Sequence, residues 1–177
     1  MLDEAHMLVT PRESLEGSHM TFVDEFRAKG ERVVPWVADE PYETFAAYVA
    51  KLNDGAKGIG LGPGMVPHST FWLIDGGGEI VAISNLRHAL TDYLLRFGGH
   101  IGYGVRPSAR RKGYATEILR QTLREAHALG LRKIRLTCDK GNVASARTII
   151  RHGGELDGEE FLPDEQRVVL RYWISLP

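Results

Sequence analysis

The residues best suited to chemistry fall in one stretch, Gly99 to Ala128, which reads GHIGYGVRPSARRKGYATEILRQTLREAHA. Its middle, Arg110-Arg111-Lys112-Gly113-Tyr114-Ala115, joins an apolar strand to an amphipathic helix. A helix that begins on Gly113 leaves the N–H groups of Arg111 through Ala115 without intrahelical acceptors. Those donors, at the positive end of the helix dipole, suit an anion such as a phosphate. Gly113 lacks the Cβ that would hold a phosphate away from the amides. Arg106, Arg110, Arg111 and Lys112 add positive charge at the same mouth. The spacing points to a pyrophosphate cradle over Arg110, Arg111, Lys112, Gly113, Tyr114, Ala115 and Thr116.

The elements that would position this cradle read as follows. His6 to Thr10 is a short apolar strand ended by Pro11. Leu15 to Lys29 places Phe22, Val23 and Phe26 at helical spacing, and Gly30 can stop that helix. Pro41 opens a second helix with Phe45, Tyr48, Val49 and Leu52 on one face, ended by Asn53-Asp54-Gly55. The glycine- and proline-rich run Ala56 to Ser69 reads as a loop. Thr70 to Asp75 and Glu79 to Leu86 are strands joined through Gly76-Gly77-Gly78. Arg87 to Phe97 is ambiguous, with Leu90, Tyr93, Leu94 and Phe97 able to form a short helix.

The central strand, His100 to Val105, leads into a helix over Gly113 to Leu129, whose buried stripe is Ala115, Ile118, Leu119, Thr122, Ala126 and Leu129. Lys133 to Cys138 alternates as a strand. Asn142 to His152 is a helix with Ala146, Ile149 and Ile150 inward. Glu155 to Gln166 is acidic and irregular, a weak strand and a loop, and Arg167 to Leu176 is a closing strand with Val168, Leu170, Tyr172, Ile174 and Leu176 on one face. That final strand could pair across a homodimer or fill the sheet. Gly17-Ser18-His19-Met20 resembles a vector remnant but is read as native, because no histidine run precedes it. The sum is one domain over residues 1–177. Its class is α/β in the mixed α+β sense: a twisted mixed sheet flanked by helices, with local parallel pairing at the central strand–helix–strand unit.

A chain of 177 residues can bury a real core. A net charge of −1 argues against a general nucleic-acid or anionic-membrane binder. The single cysteine, Cys138, allows no internal disulfide and no cysteine-rich metal site, which fits a reducing cytoplasm. No metal ligand set is evident. No apolar run reaches the ~18 residues of a membrane span, and the acidic N-terminus lacks the layout of a signal peptide.

The Arg110–Ala115 block resembles the Arg/Gln-x-x-Gly-x-Gly/Ala pattern of the GNAT superfamily of N-acetyltransferases. Gly104-Val105-Arg106-Pro107 is similar to the end of that family's fourth strand. Asn142 followed by Ser145 at the start of a helix is similar to its next motif. The resemblance spans roughly Leu8 to Ile174. It implies a GNAT-like fold with splayed central strands, acetyl-CoA as cosubstrate and no metal. It also implies cofactor contacts at Tyr103, Gly104, Val105, the Arg110–Thr116 cradle, Asn142 and Ser145. Glycines at 102 and 104 would let the pantetheine arm approach the strand as another backbone does. The reaction implied is attack of a small-molecule or peptide amine on the thioester, with a backbone N–H near Val105 as oxyanion donor.

Two departures stand out. Ile149 occupies the position where the family often has a tyrosine acid, so Tyr103 or Tyr172 is the candidate substitute. Near the strand start the family's glutamate is absent, and His100 is the candidate base, with His88 beside it. Asn85 and Arg87 are placed toward the substrate. The missing groups leave a second reading open, a non-catalytic acyl-CoA-binding sensor of the same fold. A dinucleotide site is excluded, because Gly102-x-Gly104 lacks the third glycine and the acidic residue that should follow.

Overall fold

The computed structural model describes residues 6–177. Strand β1 (Met7–Val9) is followed by helices α1 (Glu16–Ala28) and α2 (Phe45–Gly55). Strands β2 (His68–Ile74) and β3 (Ile80–Arg87) form a hairpin in which Asp75 Oδ1 accepts from the Gly77 and Glu79 amides, each at 3.0 Å. A π-helical turn, Leu94–Gly98, leads to β4 (Ile101–Val105), α3 (Tyr114–Ala128) and β5 (Lys133–Asp139). Helix α4 (Val143–Arg151) and strands β6 (Glu155–Leu162) and β7 (Arg167–Ser175) complete the chain. Among the described residues no helix is long and apolar enough to cross a membrane.

The strands form two antiparallel sheets, β1-β2-β3-β4 and β5-β7-β6. The expected parallel pairing of the central strands is reduced to one contact. His100 N–H donates to Arg135 O at 2.7 Å, and Arg135 N–H returns a bond to His100 Nδ1 at 2.9 Å. Beyond that point β4 and β5 separate. β7 is bonded to β5 on one edge and to β6 on the other, so it fills its sheet and has no edge to offer a second copy.

The phase of β4 follows from its end bonds. Arg87 N–H donates to His100 O at 2.7 Å and Arg106 N–H donates to Val81 O at 2.9 Å. In the register Leu86↔Ile101 through Ala82↔Val105, bonded pairs alternate with unbonded ones. Gly102 and Gly104 therefore bond to β3. Ile101, Tyr103 and Val105 turn their N–H and C=O groups to the opposite edge, toward the separation from β5.

Local departures from the sequence reading have physical reasons. Helix α2 starts at Phe45, not Pro41, because Thr44 caps it by accepting from Ala47 N–H at 3.2 Å. β2 begins at His68, two residues into the expected loop. In α3, Leu123 is buried and Leu129 exposed, because the helix ends before the predicted stripe is complete. Ile149 is fully buried on α4 while Ile150 faces solvent. The acidic stretch forms one strand, β6, with a bulge between Leu156 and Gly158, and arginines offset its charge: Asp157 bonds Arg135, and Glu160 bonds Arg96 and Arg171. Gly17 to Met20 belong to α1, where His19 is 1% exposed and Ser18 Oγ accepts from Ile80 N–H at 2.7 Å.

Gly104 has a packing reason that differs from the sequence expectation. A Cβ there would lie 2.1 Å from Val34 O, and one at Gly102 would lie 3.6 Å from Pro35 Cβ. The backbone that approaches β4 on this face is the chain's own Val34-Pro35 segment. Gly104→Ala should lower stability by about 3 kcal/mol or more, because the clash is with main chain that cannot yield as a side chain would. Chemical denaturation tests this, and a loss under ~1 kcal/mol would contradict the packing.

Burial lowers His19 to about 4, and burial together with the Arg87 and Arg135 charges lowers His100 to about 4. In the unfolded chain both titrate near ~6.5. Between those values the unfolded chain binds more protons, so stability is fully present above pH ~6.5 and drains as pH falls toward 4. Each histidine contributes roughly 3 kcal/mol to that loss. Urea unfolding at pH 7.5 and pH 4.5 should show the drop, with a shallower slope in His19→Gln. A profile that is flat over this window would contradict it.

Candidate active site

The separation of β4 from β5 opens into a cavity of about 740 Å³. Its walls come from the Arg32–Trp36 segment, the Gly64–His68 loop, the π-helical turn, the facing ends of β4 and β5, the start of α4 and the β6–β7 turn. Tyr103, Cys138, Asn142 and Ser145 all line it. Asn142 caps α4, its side chain accepting from Ser145 N–H at 3.1 Å. The Tyr103 hydroxyl crosses the separation to Ser145 Oγ, 3.0 Å away. Burial, opposed by hydrogen bonds from Ser145 and Thr148, pushes Tyr103 up to about 12, so it is protonated at neutral pH. Burial likewise pushes the Cys138 thiol up to about 11, which leaves it a poor nucleophile.

Beyond the end of β4 the chain turns into α3 through Arg111 and Gly113, with φ of 64° and 88°. A positive φ strains Arg111, which carries a Cβ, but not Gly113. This turn aims successive amides the same way, and those of Arg111, Lys112 and Gly113 meet no backbone acceptor. Arg111 and Lys112 are exposed, while Tyr114, Ala115 and Thr116 are half-buried. The lining of the 740 Å³ cavity does not include Arg110 to Thr116, so cradle and cavity are separate surfaces reached from β4.

Two arginines expected at this mouth are used elsewhere. Arg110 makes a two-bond pair with Glu31 at 2.9 and 2.5 Å and lies over the Phe26 ring. Arg106 is buried and donates to Ser18 O at 3.0 Å and Thr21 Oγ1 at 2.9 Å. Both tie α1 to the end of β4.

The candidate base and one candidate acid are also placed differently. His100 does not line the cavity, and its Nδ1 lone pair is taken by the Arg135 amide, so its geometry is that of a strand clamp. His88 bonds Ser69 Oγ at 2.8 Å outside the cavity lining. Tyr172 is 3% exposed within the core beneath α3 and α4, also outside that lining.

His68 and Arg87 do line the cavity. They are directly opposed in the β2–β3 register and so share a face. Asn85, fully buried, holds the His68 ring through a 2.9 Å contact between its side-chain nitrogen and Nδ1. The glycine- and proline-rich run places His68 in a loop by sequence, whereas it opens β2. Its one available signal was its place immediately before the apolar run Phe71-Trp72-Leu73-Ile74.

The profile of the acetyltransferase (GNAT) domain family matches residues 16–155. No curated protein matches the chain in sequence. Among solved structures, a mutant of spermidine N-acetyltransferase SpeG from Vibrio cholerae superposes with a TM-score of 0.63 at 18% identity, covering 96% of this chain and 94% of that one. An N-acetyltransferase from Staphylococcus aureus Mu50 superposes with a TM-score of 0.66 at 16% identity, covering 98% and 100%. These likenesses extend over nearly the whole fold described above, and the family match takes in both motif blocks, Arg110–Ala115 and Asn142–Ser145. The chain belongs to the GNAT family of N-acetyltransferases.

Proposed function

We propose that the protein moves an acetyl group from acetyl-CoA to a primary amine by direct attack, and that it does so in the cytoplasm. The observation that carries this reading is the open edge of β4. Ile101, Tyr103 and Val105 face the separation with backbone groups that no strand pairs, and buried or half-buried backbone of that kind needs a partner. An amide-bearing arm laid along β4 would supply one. The turn at Arg111–Gly113 starts just past the strand end, with amides free for a pyrophosphate.

Acetyl-CoA, when bound, supplies the acetyl thioester. Arg111, Lys112 and the amides from Arg111 to Thr116 would hold its phosphates. Gly104, Val105, Asn142 and Ser145 flank the path of its arm. The Val105 N–H lies on the open edge, available to the oxygen that gains charge during attack. The Tyr103 hydroxyl, held by Ser145 and protonated at neutral pH, is placed to give a proton to the departing sulfur. It thus takes the part that Ile149, sealed in the core, cannot play. Cys138 supports direct attack over an acyl-enzyme, because its buried thiol stays protonated.

A thiol of pKa ~8.5 is roughly 2 kcal/mol from ionised at pH 7, which bounds the value of an acid to about thirtyfold. Tyr103→Phe should lower kcat by up to that factor, and the deficit should hold from pH 7 to pH 9, because a hydroxyl raised to about 12 stays protonated throughout. A full rate at pH 7 would remove Tyr103 from this role.

Calorimetric titration with acetyl-CoA, followed by thiol release with a panel of amines, tests the reaction itself. Binding with amine-dependent release supports the transfer, and absence of binding overturns it. The double variant Arg111→Glu, Lys112→Glu should weaken acetyl-CoA binding at least about tenfold while leaving the melting temperature in place. Unchanged affinity would contradict the cradle.

A further inference from the structure

The charged groups of the cavity do not balance. Two carboxylates line it, Asp139 and Glu165, and both are committed. Asp139 bonds Arg167, and Glu165 bonds Arg167 at 2.7 Å and Arg32 at 3.5 Å. Arg87 is left over. Among the described residues it makes no ion pair. Its Nη1 donates to the carbonyls of Gly98 and Gly99 at 3.2 and 3.0 Å. Its Nε and Nη2 have no acceptor in the protein, and neither is sealed from solvent. The acidic β6 supplies no counter-charge: Asp157, Glu159 and Glu160 are paired with Arg135, Lys140, Arg96 and Arg171, and Glu155 lies outside the cavity lining.

A half-buried guanidinium without a carboxylate is costly unless something brings one to it. Two of its N–H faces remain in a planar fork, the geometry that matches a carboxylate with two parallel bonds. His68 stands opposite on the same face, and its Nδ1 contacts the Asn85 side-chain nitrogen. Its Nε2 makes no hydrogen bond in the protein, and that edge of the ring lies against Gly55 of α2. The site offers donors and positive charge, and no free anion for a polycation.

The anion this site awaits is not the phosphate of the cosubstrate. Arg87 is paired with His100 at the start of β4, whereas the amide cradle follows the other end of the strand. Five residues of extended chain separate the two by roughly 16 Å. Resting on the transferase reading above, we propose that the acceptor is an amine that also carries a carboxylate, an amino acid or a compound like one. The guanidinium of Arg87 grips that carboxylate, with His68 opposite it in the strand register.

The test pairs each of the twenty amino acids with the amine left after its carboxylate is removed, in the thiol-release assay, for wild type, Arg87→Met and Arg87→Lys. For at least one pair, wild type should favour the amino acid by tenfold or more in kcat/KM. Arg87→Met should erase that preference through KM, and Arg87→Lys, which keeps the charge without the fork, should restore part of it. Equal or better use of the decarboxylated amines, a preference that survives in Arg87→Met, or turnover of no amino acid at all would overturn the proposal.

A second readout does not depend on turnover. N-acetyl amino acids should raise the melting temperature of wild type but not of Arg87→Met, and no shift with either protein would also count against the proposal. Acetyl-CoA titration separates the two levels. Wild type that fails to bind acetyl-CoA sinks the transferase reading. Normal acetyl-CoA binding by wild type and Arg87→Met, with no carboxylate preference, sinks only the acceptor assignment.

Discussion

A single reciprocal contact decides the shape of the site: His100 N–H to Arg135 O, and Arg135 N–H back to His100 Nδ1. It joins the two sheets at the base of β4 and β5 and takes up the backbone groups that would otherwise continue the pairing. The Arg135 side chain strengthens the joint by bonding Leu95 O at 3.0 Å and Asp157 at 2.6 Å and lying over the Trp173 ring. Thr137 Oγ1 donates to Phe97 O at 2.8 Å, so the π-helical turn is wedged against β5. Above the joint the strands part, and the backbone groups on the free edge of β4 are bonded to no strand, only Val105 O accepting from Arg110 Nε at 3.4 Å. A sheet that closed here would satisfy those groups internally and leave no place for a ligand arm.

The rest of the molecule keeps that edge open and gives it two different ends. On one face Val34-Pro35 packs against Gly102 and Gly104, so β4 is supported without a second strand on its free edge. Past Val105, Arg106 and Arg110 spend their charge on α1 and its loop, fixing where α3 begins. The exposed Arg111 and Lys112 and the bare amides are then the positive features at that end. At the other end the cavity carries Arg87 and His68 among carboxylates that are already paired. Tyr103 lies between, reaching from β4 to the cap of α4. In the function proposed above, charge for a phosphate, a proton for a leaving thiol and a grip on the acceptor would be spaced along one strand.

Much of this was legible in the sequence because local signals and tertiary structure agree there. The glycine at 113, the capping asparagine at 142 and the apolar periodicity of α1 and α3 each name their own element. What was not legible depended on which way long side chains turn. Arg106 and Arg110 sit in a basic run, and only the position of Glu25, Glu31, Ser18 and Thr21 across the fold shows that they face away from the mouth. His100 has the ordinary chemistry of a base, but a neighbouring strand takes its lone pair. Gly104 announces a close approach, and the sequence does not say that the approaching chain is Val34. Leu129 and Ile150 fit the inward period yet face solvent, because periodicity carries no information about where a helix loses its neighbour.

The central claim is that the free edge of β4 receives the cosubstrate, and amide hydrogen exchange tests it residue by residue. Without ligand, the Gly102 and Gly104 amides should exchange slowly, and those of Ile101, Tyr103 and Val105 faster. Saturation with acetyl-CoA should slow at least one of the three odd amides and leave the even ones unchanged. Acetyl-CoA binding with no change at Ile101, Tyr103 or Val105, or odd amides already protected in the free protein, would contradict it.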